Sequence, residues 1–116
     1  MRFSEYSSFV SNVDETVAFY ERLLGKLPAH RQEGFAFFDC DGVKIIVHKT
    51  YVQRPEDPPC ESHAGFAVDD LDQSIKELQL RGLQLEIPPR TFPWGRSAYL
   101  RDPSGALLEL SENQRL

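Results

Sequence analysis

The sequence predicts an α+β fold assembled from two copies of a βαβββ module. Three observations predict it: a capped amphipathic helix pattern that occurs twice, strand-like runs around a turn after each occurrence, and a proline-rich connector between the halves. Internal self-similarity of this kind dictates architecture before any single element does.

In the first half, Ser4 to Val10 reads as a short strand. Asn12-Val13-Asp14-Glu15 then offers an N-cap with a carboxylate three residues on, followed by an apolar stripe through Val13, Val17, Tyr20 and Leu24. Asn12 can accept from the first free amides of the helix, and Glu15 can reach back. Leu27 to Gln32 is a weaker strand candidate. Gly34 to Phe38 and Val43 to His48 flank an Asp41-Gly42 pair, which reads as a hairpin.

The same order returns in the second half. His63 to Val68 is the strand, Asp70-Leu71-Asp72-Gln73 the cap, and Leu71, Ile75 and Leu78 the stripe. Leu83 to Ile87 is the weaker strand candidate. Arg96 to Arg101 and Ala106 to Ser111 enclose Asp102-Pro103-Ser104-Gly105, whose proline and glycine suit a type I turn. Between the halves, Tyr51 to Ser62 carries Pro55, Pro58 and Pro59 with no usable period and reads as a connector. The expected organisation is one domain over residues 1–116, with module 1 at about 1–50, the connector at 51–62 and module 2 at about 63–116.

With 116 residues and 41% apolar content, the chain has the size and composition of one globular core. A short chain buries a modest share of its surface, which makes a homodimer an expected partner state. The formal charge of −5 argues against a nucleic-acid partner, which needs a basic face. No long apolar run or basic leader marks a membrane or export segment, so a cytoplasmic protein that binds a small molecule is expected. Cys40 and Cys60 lack paired CxxC spacing and read as reduced thiols. Neither a phosphate loop, a nucleotide fingerprint nor a Ser/His/Asp pattern is evident.

The run Val13-Asp14-Glu15-Thr16-Val17-Ala18-Phe19-Tyr20, continuing to Leu24-Gly25, resembles the opening of vicinal oxygen chelate proteins, the glyoxalase, bleomycin-resistance and extradiol-dioxygenase group. His63-Ala64-Gly65-Phe66-Ala67-Val68 with Asp70-Leu71 resembles the start of their second module. Asp102-Pro103-Ser104-Gly105 before Leu108-Glu109-Leu110 resembles their closing hairpin. The resemblance covers essentially the whole chain. It implies a curled eight-stranded mixed sheet with a central cup, helices outside, and dimers in which modules pair within or across chains. Fold at this level does not decide function.

Strand alternation sorts the residues by face. Leu108 and Leu110 suit packing under a helix, which turns Leu107, Glu109 and Ser111 the other way. Phe66 and Val68 go with the helix, leaving His63, Gly65 and Ala67 inside. Tyr6, Ser8 and Val10 likewise leave Glu5, Ser7 and Phe9 inside. Metal-dependent relatives place ligands at such inner positions, so the resemblance implies Glu5, His63 and Glu109 as metal ligands. Glu5 stands where histidine is more frequent, and Ile46 occupies a fourth position that it cannot ligate. One imidazole and two carboxylates suit Zn²⁺, Mn²⁺, Fe²⁺, Mg²⁺ or Ni²⁺. Relatives without a metal simply bind a ligand.

Ser7, Phe9, His48 and Trp94 are the candidate ligand-binding residues, with Glu109 the candidate catalytic group. Phe92-Pro93-Trp94-Gly95-Arg96 resembles a loop bordering the family's cleft, where the indole offers a stacking surface. Arg90, Arg96 and Arg101 are read as solvated charges. Thiol transfer to fosfomycin is not expected, because the first metal position departs from the family's type and the chain ends soon after Glu109. The function expected is binding of a small, drug-like or cationic molecule, as in bleomycin-resistance proteins. The alternative is a metal-dependent lyase, isomerase or dioxygenase using Glu5, His63 and Glu109.

Overall fold

The computed structural model describes residues 1–112. Its elements run β1 (Arg2–Val10), α1 (Val13–Leu24), β2 (His30–Gln32), β3 (Phe35–Cys40), β4 (Val43–Lys49), β5 (His63–Val68), α2 (Leu71–Leu80), β6 (Ile87–Phe92), β7 (Gly95–Arg101) and β8 (Leu107–Glu112). The strands pair in the order β2-β3-β4-β1 in the first half and β5-β8-β7-β6 in the second, each set mixing parallel and antiparallel neighbours. Contacts divide the chain into two units, Glu5–Ser62 and a second comprising Met1–Ser4 with the segment from His63 onward.

Within Glu5–Ser62, β1 runs parallel to β4 with Ser7 opposite Ile46 and Phe9 opposite His48. Strands β3 and β4 are antiparallel around Asp41 and Gly42, whose φ angles are 51° and 90°. Two successive positive φ values match the right-handed strand twist, which is why an Asp-Gly pair closes this hairpin. Helix α1 begins where Asn12 Oδ1 accepts the Glu15 amide at 3.0 Å. It ends at Gly25, left-handed at φ 71°, whose N–H bonds the Glu21 carbonyl. The helix lays Val13 and Val17 on Ala36, Phe38 and Val47, with Val10, Tyr20, Leu24 and Ile45 around them. The faces are those that alternation predicts: Ser7, Phe9, Ile46 and His48 lie on the side away from this core.

The connector is more ordered than its prolines suggest. The Tyr51 hydroxyl donates to the Pro58 carbonyl at 2.6 Å, the Cys60 amide donates to Gln53, and Cys60 Sγ accepts the Tyr51 amide at 3.3 Å. Burial, then the nearby Cys60 and Asp57, push the Tyr51 phenol up to about 12. Cys40 and Cys60 are both unpaired thiols, as expected.

In the second unit the same topology recurs. Strand β5 runs parallel to β8, β7 is antiparallel to β8, and β6 pairs antiparallel with β7. The Asp70 side chain caps α2 by accepting the Gln73 amide at 3.0 Å. Gln73 does not reach back as the capping pattern suggests; its amide turns along the helix to Glu77. Leu71, Ile75 and Leu78 pack on Val68, Ala98, Leu100 and Leu110, with Phe66 and Leu108 beside them. A separate cluster of Phe92, Tyr99 and Leu107 brings together residues that alternation turns away from α2.

One element lies elsewhere than the sequence suggests. The strand after α2 is Ile87–Phe92, not Leu83 to Ile87. Pro88 and Pro89 argue against a strand, yet β6 is a sheet edge, where a missing N–H leaves no ladder bond unmade, and the register slips between Ile87 and Arg90. In consequence Phe92 closes β6, Gly95 opens β7, and the expected five-residue loop contracts to a turn around Pro93 and Trp94. Among the described residues no helix is long and apolar enough to cross a membrane.

Candidate functional site

The second unit carries a buried polar network on the sheet face opposite α2. His63 opens β5 and Glu109 lies on β8, and parallel pairing sets Gly65 opposite Glu109. Since Leu108 and Leu110 are committed to the α2 core, Glu109 must point the other way, and so must His63 once Phe66 and Val68 pack with α2. The two side chains meet there, with His63 Nε2 and Glu109 Oε1 3.0 Å apart. The residues are 5% and 4% exposed, so water does not compete for the contact.

The other carboxylate oxygen is also engaged. The Ser97 hydroxyl donates to Glu109 Oε2 at 2.7 Å, and the Trp94 indole N–H donates to Ser97 Oγ at 2.9 Å. Ser97 is completely buried, whereas Trp94 is 38% exposed and stacks on Phe92 with ring centres 4.9 Å apart. The Tyr99 ring meets His63 edge-on at 5.8 Å. Buried polar atoms are costly unless partnered, and this arrangement partners the Glu109 carboxylate at both ends.

The remaining sequence-selected residues lie in Glu5–Ser62. The Glu5 carboxylate accepts the Ser7 hydroxyl at 3.1 Å. Phe9 and His48 are cross-strand neighbours with rings 5.3 Å apart, and Tyr51 and Phe35 join them. His48 Nδ1 also lies 2.7 Å from the Lys49 carbonyl. This is an aromatic face with a polar edge.

An imidazole nitrogen and a carboxylate oxygen side by side suit a borderline divalent ion. Binding one would exchange the His63–Glu109 hydrogen bond for two bonds to the metal. Among the described residues, no group of three or more His, Cys, Asp and Glu side chains is arranged to hold a metal ion. The pair therefore fits as two ligands of a cation whose other positions are filled by further groups or by the ligand itself.

Sequence reasoning missed Ser97. Serine in the middle of an apolar strand, Gly95–Arg101, is the signal that could have found it, because a fully buried hydroxyl needs a partner.

Two βαβββ units, one carrying a histidine on its first strand against a glutamate on its last, define a class of small-molecule-binding and catalytic folds. A sequence model of the Glyoxalase/Bleomycin resistance protein/Dioxygenase superfamily matches residues 2–110, and the chain belongs to that superfamily. It is 30% identical over 107 residues to the metallothiol transferase FosB of Shouchella clausii, an alignment covering 87% of this chain and 73% of that protein. Among solved structures, it is similar to the NAD-dependent benzaldehyde dehydrogenase structure from Legionella pneumophila, with a TM-score of 0.76, 19% identity and coverage of 95% of this chain and 98% of that one. It is also similar to methylmalonyl-CoA epimerase from Mycobacterium tuberculosis, with a TM-score of 0.68, 20% identity and coverage of 98% and 89%. At such identities the structural matches speak for the fold alone.

Proposed function

We propose that this chain is a small-molecule-binding protein whose ligand is held at the His63–Glu109 pair, with Trp94 supplying an aromatic contact. The observation that carries the reading is the hydrogen-bonded connection from a half-exposed indole to a buried carboxylate and imidazole. A planar or apolar body can lie on the indole while a donor or positive charge on the same molecule addresses the Glu109 carboxylate. The charge of −5 favours a cationic or neutral ligand over an anionic one. Ser7, Phe9 and His48 are proposed as ligand-contacting residues of the first module, and the single-domain, dimeric, cytoplasmic protein expected from the sequence belongs to the same proposal.

A second reading is favoured by the 3.0 Å approach of His63 Nε2 to Glu109 Oε1. In it, those two residues hold a divalent ion, its other positions being left to further groups or to the substrate, and the protein is a metal-dependent lyase, isomerase or dioxygenase. The metallothiol transferase relative supports a metal. When bound, such an ion supplies Lewis acidity to substrate oxygens.

A thermal-shift panel separates the two, because a ligand that binds only the native state raises its melting temperature. Aromatic cationic compounds are tested beside Mg²⁺, Mn²⁺, Fe²⁺, Ni²⁺ and Zn²⁺. Shifts with compounds alone, lost in Glu109→Gln, support the binder. Shifts with metals, lost in His63→Ala, support the enzyme. Shifts that survive both substitutions remove the His63–Glu109 pair from the function.

A further inference from the structure

We infer that Ser97 and Trp94 are positioning residues for Glu109, an inference that rests on the reading of His63 and Glu109 as the ligand-contacting pair. The indole N–H can donate but never accept, so the bond from Trp94 Nε1 to Ser97 Oγ at 2.9 Å has one direction only. A serine hydroxyl has a single proton. With one of its lone pairs taken by the indole, that proton is delivered to Glu109 Oε2 at 2.7 Å. The carboxylate is thereby held by Oε2 and presents Oε1 to His63 Nε2. The direction of the whole chain, from Trp94 through Ser97 to Glu109, is set at its exposed end by a group that cannot reverse it.

Burial makes this a positioning device rather than a surface contact. Ser97 is 0% exposed and Glu109 4%, so no solvent stands ready to replace a lost donor. The strands hold the geometry: Ser97 lies opposite Ser111 and Tyr99 opposite Glu109, which sets Ser97 diagonally next to Glu109 on a common sheet face. Stacking on Phe92, with the rings within 13° of parallel, holds the indole in the orientation that aims its N–H inward. A carboxylate oxygen offers only lone pairs, so the partner that fits Oε1 at 3.0 Å is His63 in its Nε2–H form.

The test compares the wild-type chain with Ser97→Ala, Ser97→Thr and Trp94→Phe at one fixed pH, first without any ligand. Long-range proton–nitrogen NMR of the imidazoles, with His63 assigned through its loss in His63→Gln, reads which ring nitrogen carries the proton. Wild type is expected to show the Nε2–H form, Ser97→Ala a mixed pattern, Ser97→Thr the wild-type pattern again, and Trp94→Phe an intermediate one. A purely structural serine would leave the His63 pattern unchanged in any variant that folds, and Trp94→Phe, which removes the indole donor while leaving Ser97 and Glu109 in place, keeps the test open if Ser97→Ala does not fold. Zn²⁺ titration by calorimetry adds a second readout, with affinity expected to fall about tenfold in Ser97→Ala and to return in Ser97→Thr.

An unaltered His63 pattern in both Ser97→Ala and Trp94→Phe overturns the inference, even if Zn²⁺ binds wild type and the functional reading stands. A responsive His63 pattern in a protein that binds no Zn²⁺ upholds the positioning role and removes the metal reading instead.

Discussion

The imidazole of His63 and the carboxylate of Glu109 lie 3.0 Å apart across two adjacent parallel strands, in a place where each residue is at least nine-tenths hidden from solvent. Removing one member of such a pair strands the other, so its cost is set by desolvation more than by the attraction lost. His63→Ala is expected to destabilise the fold by about 3 kcal/mol. Glu109→Gln, which keeps hydrogen-bonding capacity, should cost about 1–3 kcal/mol. Urea unfolding of the single and double variants measures the coupling, and a coupling indistinguishable from zero would falsify the contact.

The second-module core offers a sharp contrast along one helix. Leu71 is completely buried against β7 and β8 residues, whereas Leu80 is 89% exposed. Leu71→Ala is expected to cost about 2–5 kcal/mol, as cavity-forming substitutions do. Leu80→Ala should stay within about 0.5 kcal/mol of wild type. Comparable losses at both positions would show that α2 does not dock by the face described.

The hairpin of the first module depends on Gly42, whose φ of 90° is strained for any residue with a side chain. Nothing crowds the position, so the cost is conformational rather than steric. Gly42→Ala is expected to lower stability by about 1–3 kcal/mol. A thermal melt of the variant that matches wild type would mean that the turn has another conformation.

Acid should weaken the fold through the Asp102 turn and the Asp72–Arg96 pair. Hydrogen bonding from the Ser104 hydroxyl, then from the Ala106 amide, holds Asp102 below the usual carboxylate range. The Arg96 guanidinium does the same for Asp72, first by hydrogen bonding and then by charge. A folded-state pKa below the unfolded value contributes stability that is present above pH ~4 and is lost as the pH falls through the folded value. The urea midpoint is therefore expected to drop below pH ~4, and less steeply in Asp102→Asn. An identical slope in that variant would show that the turn carboxylate plays no part.

Much of this was legible because it is local. Asn12 and Asp70 cap their helices, the Asp41-Gly42 pair closes a hairpin, and Leu107, Glu109 and Ser111 separate from Leu108 and Leu110 by simple alternation. Strand β6 was not legible, because Pro88 and Pro89 read as strand breakers wherever a central position is assumed. Only its place at the sheet edge makes them acceptable. The connector likewise reads as loose chain from its prolines, while the bonds joining Tyr51, Gln53, Pro58 and Cys60 are invisible to composition.

By itself the sequence determined the repeated βαβββ grammar, the capped helices and the sheet face to which His63 and Glu109 belong, since periodicity and capping act over a few residues. Tertiary structure alone decided that those two side chains touch and that Trp94 reaches Glu109 through Ser97. Contacts of that kind are set by interstrand register and side-chain reach, and a one-residue slip in β8 would send the carboxylate into the α2 core.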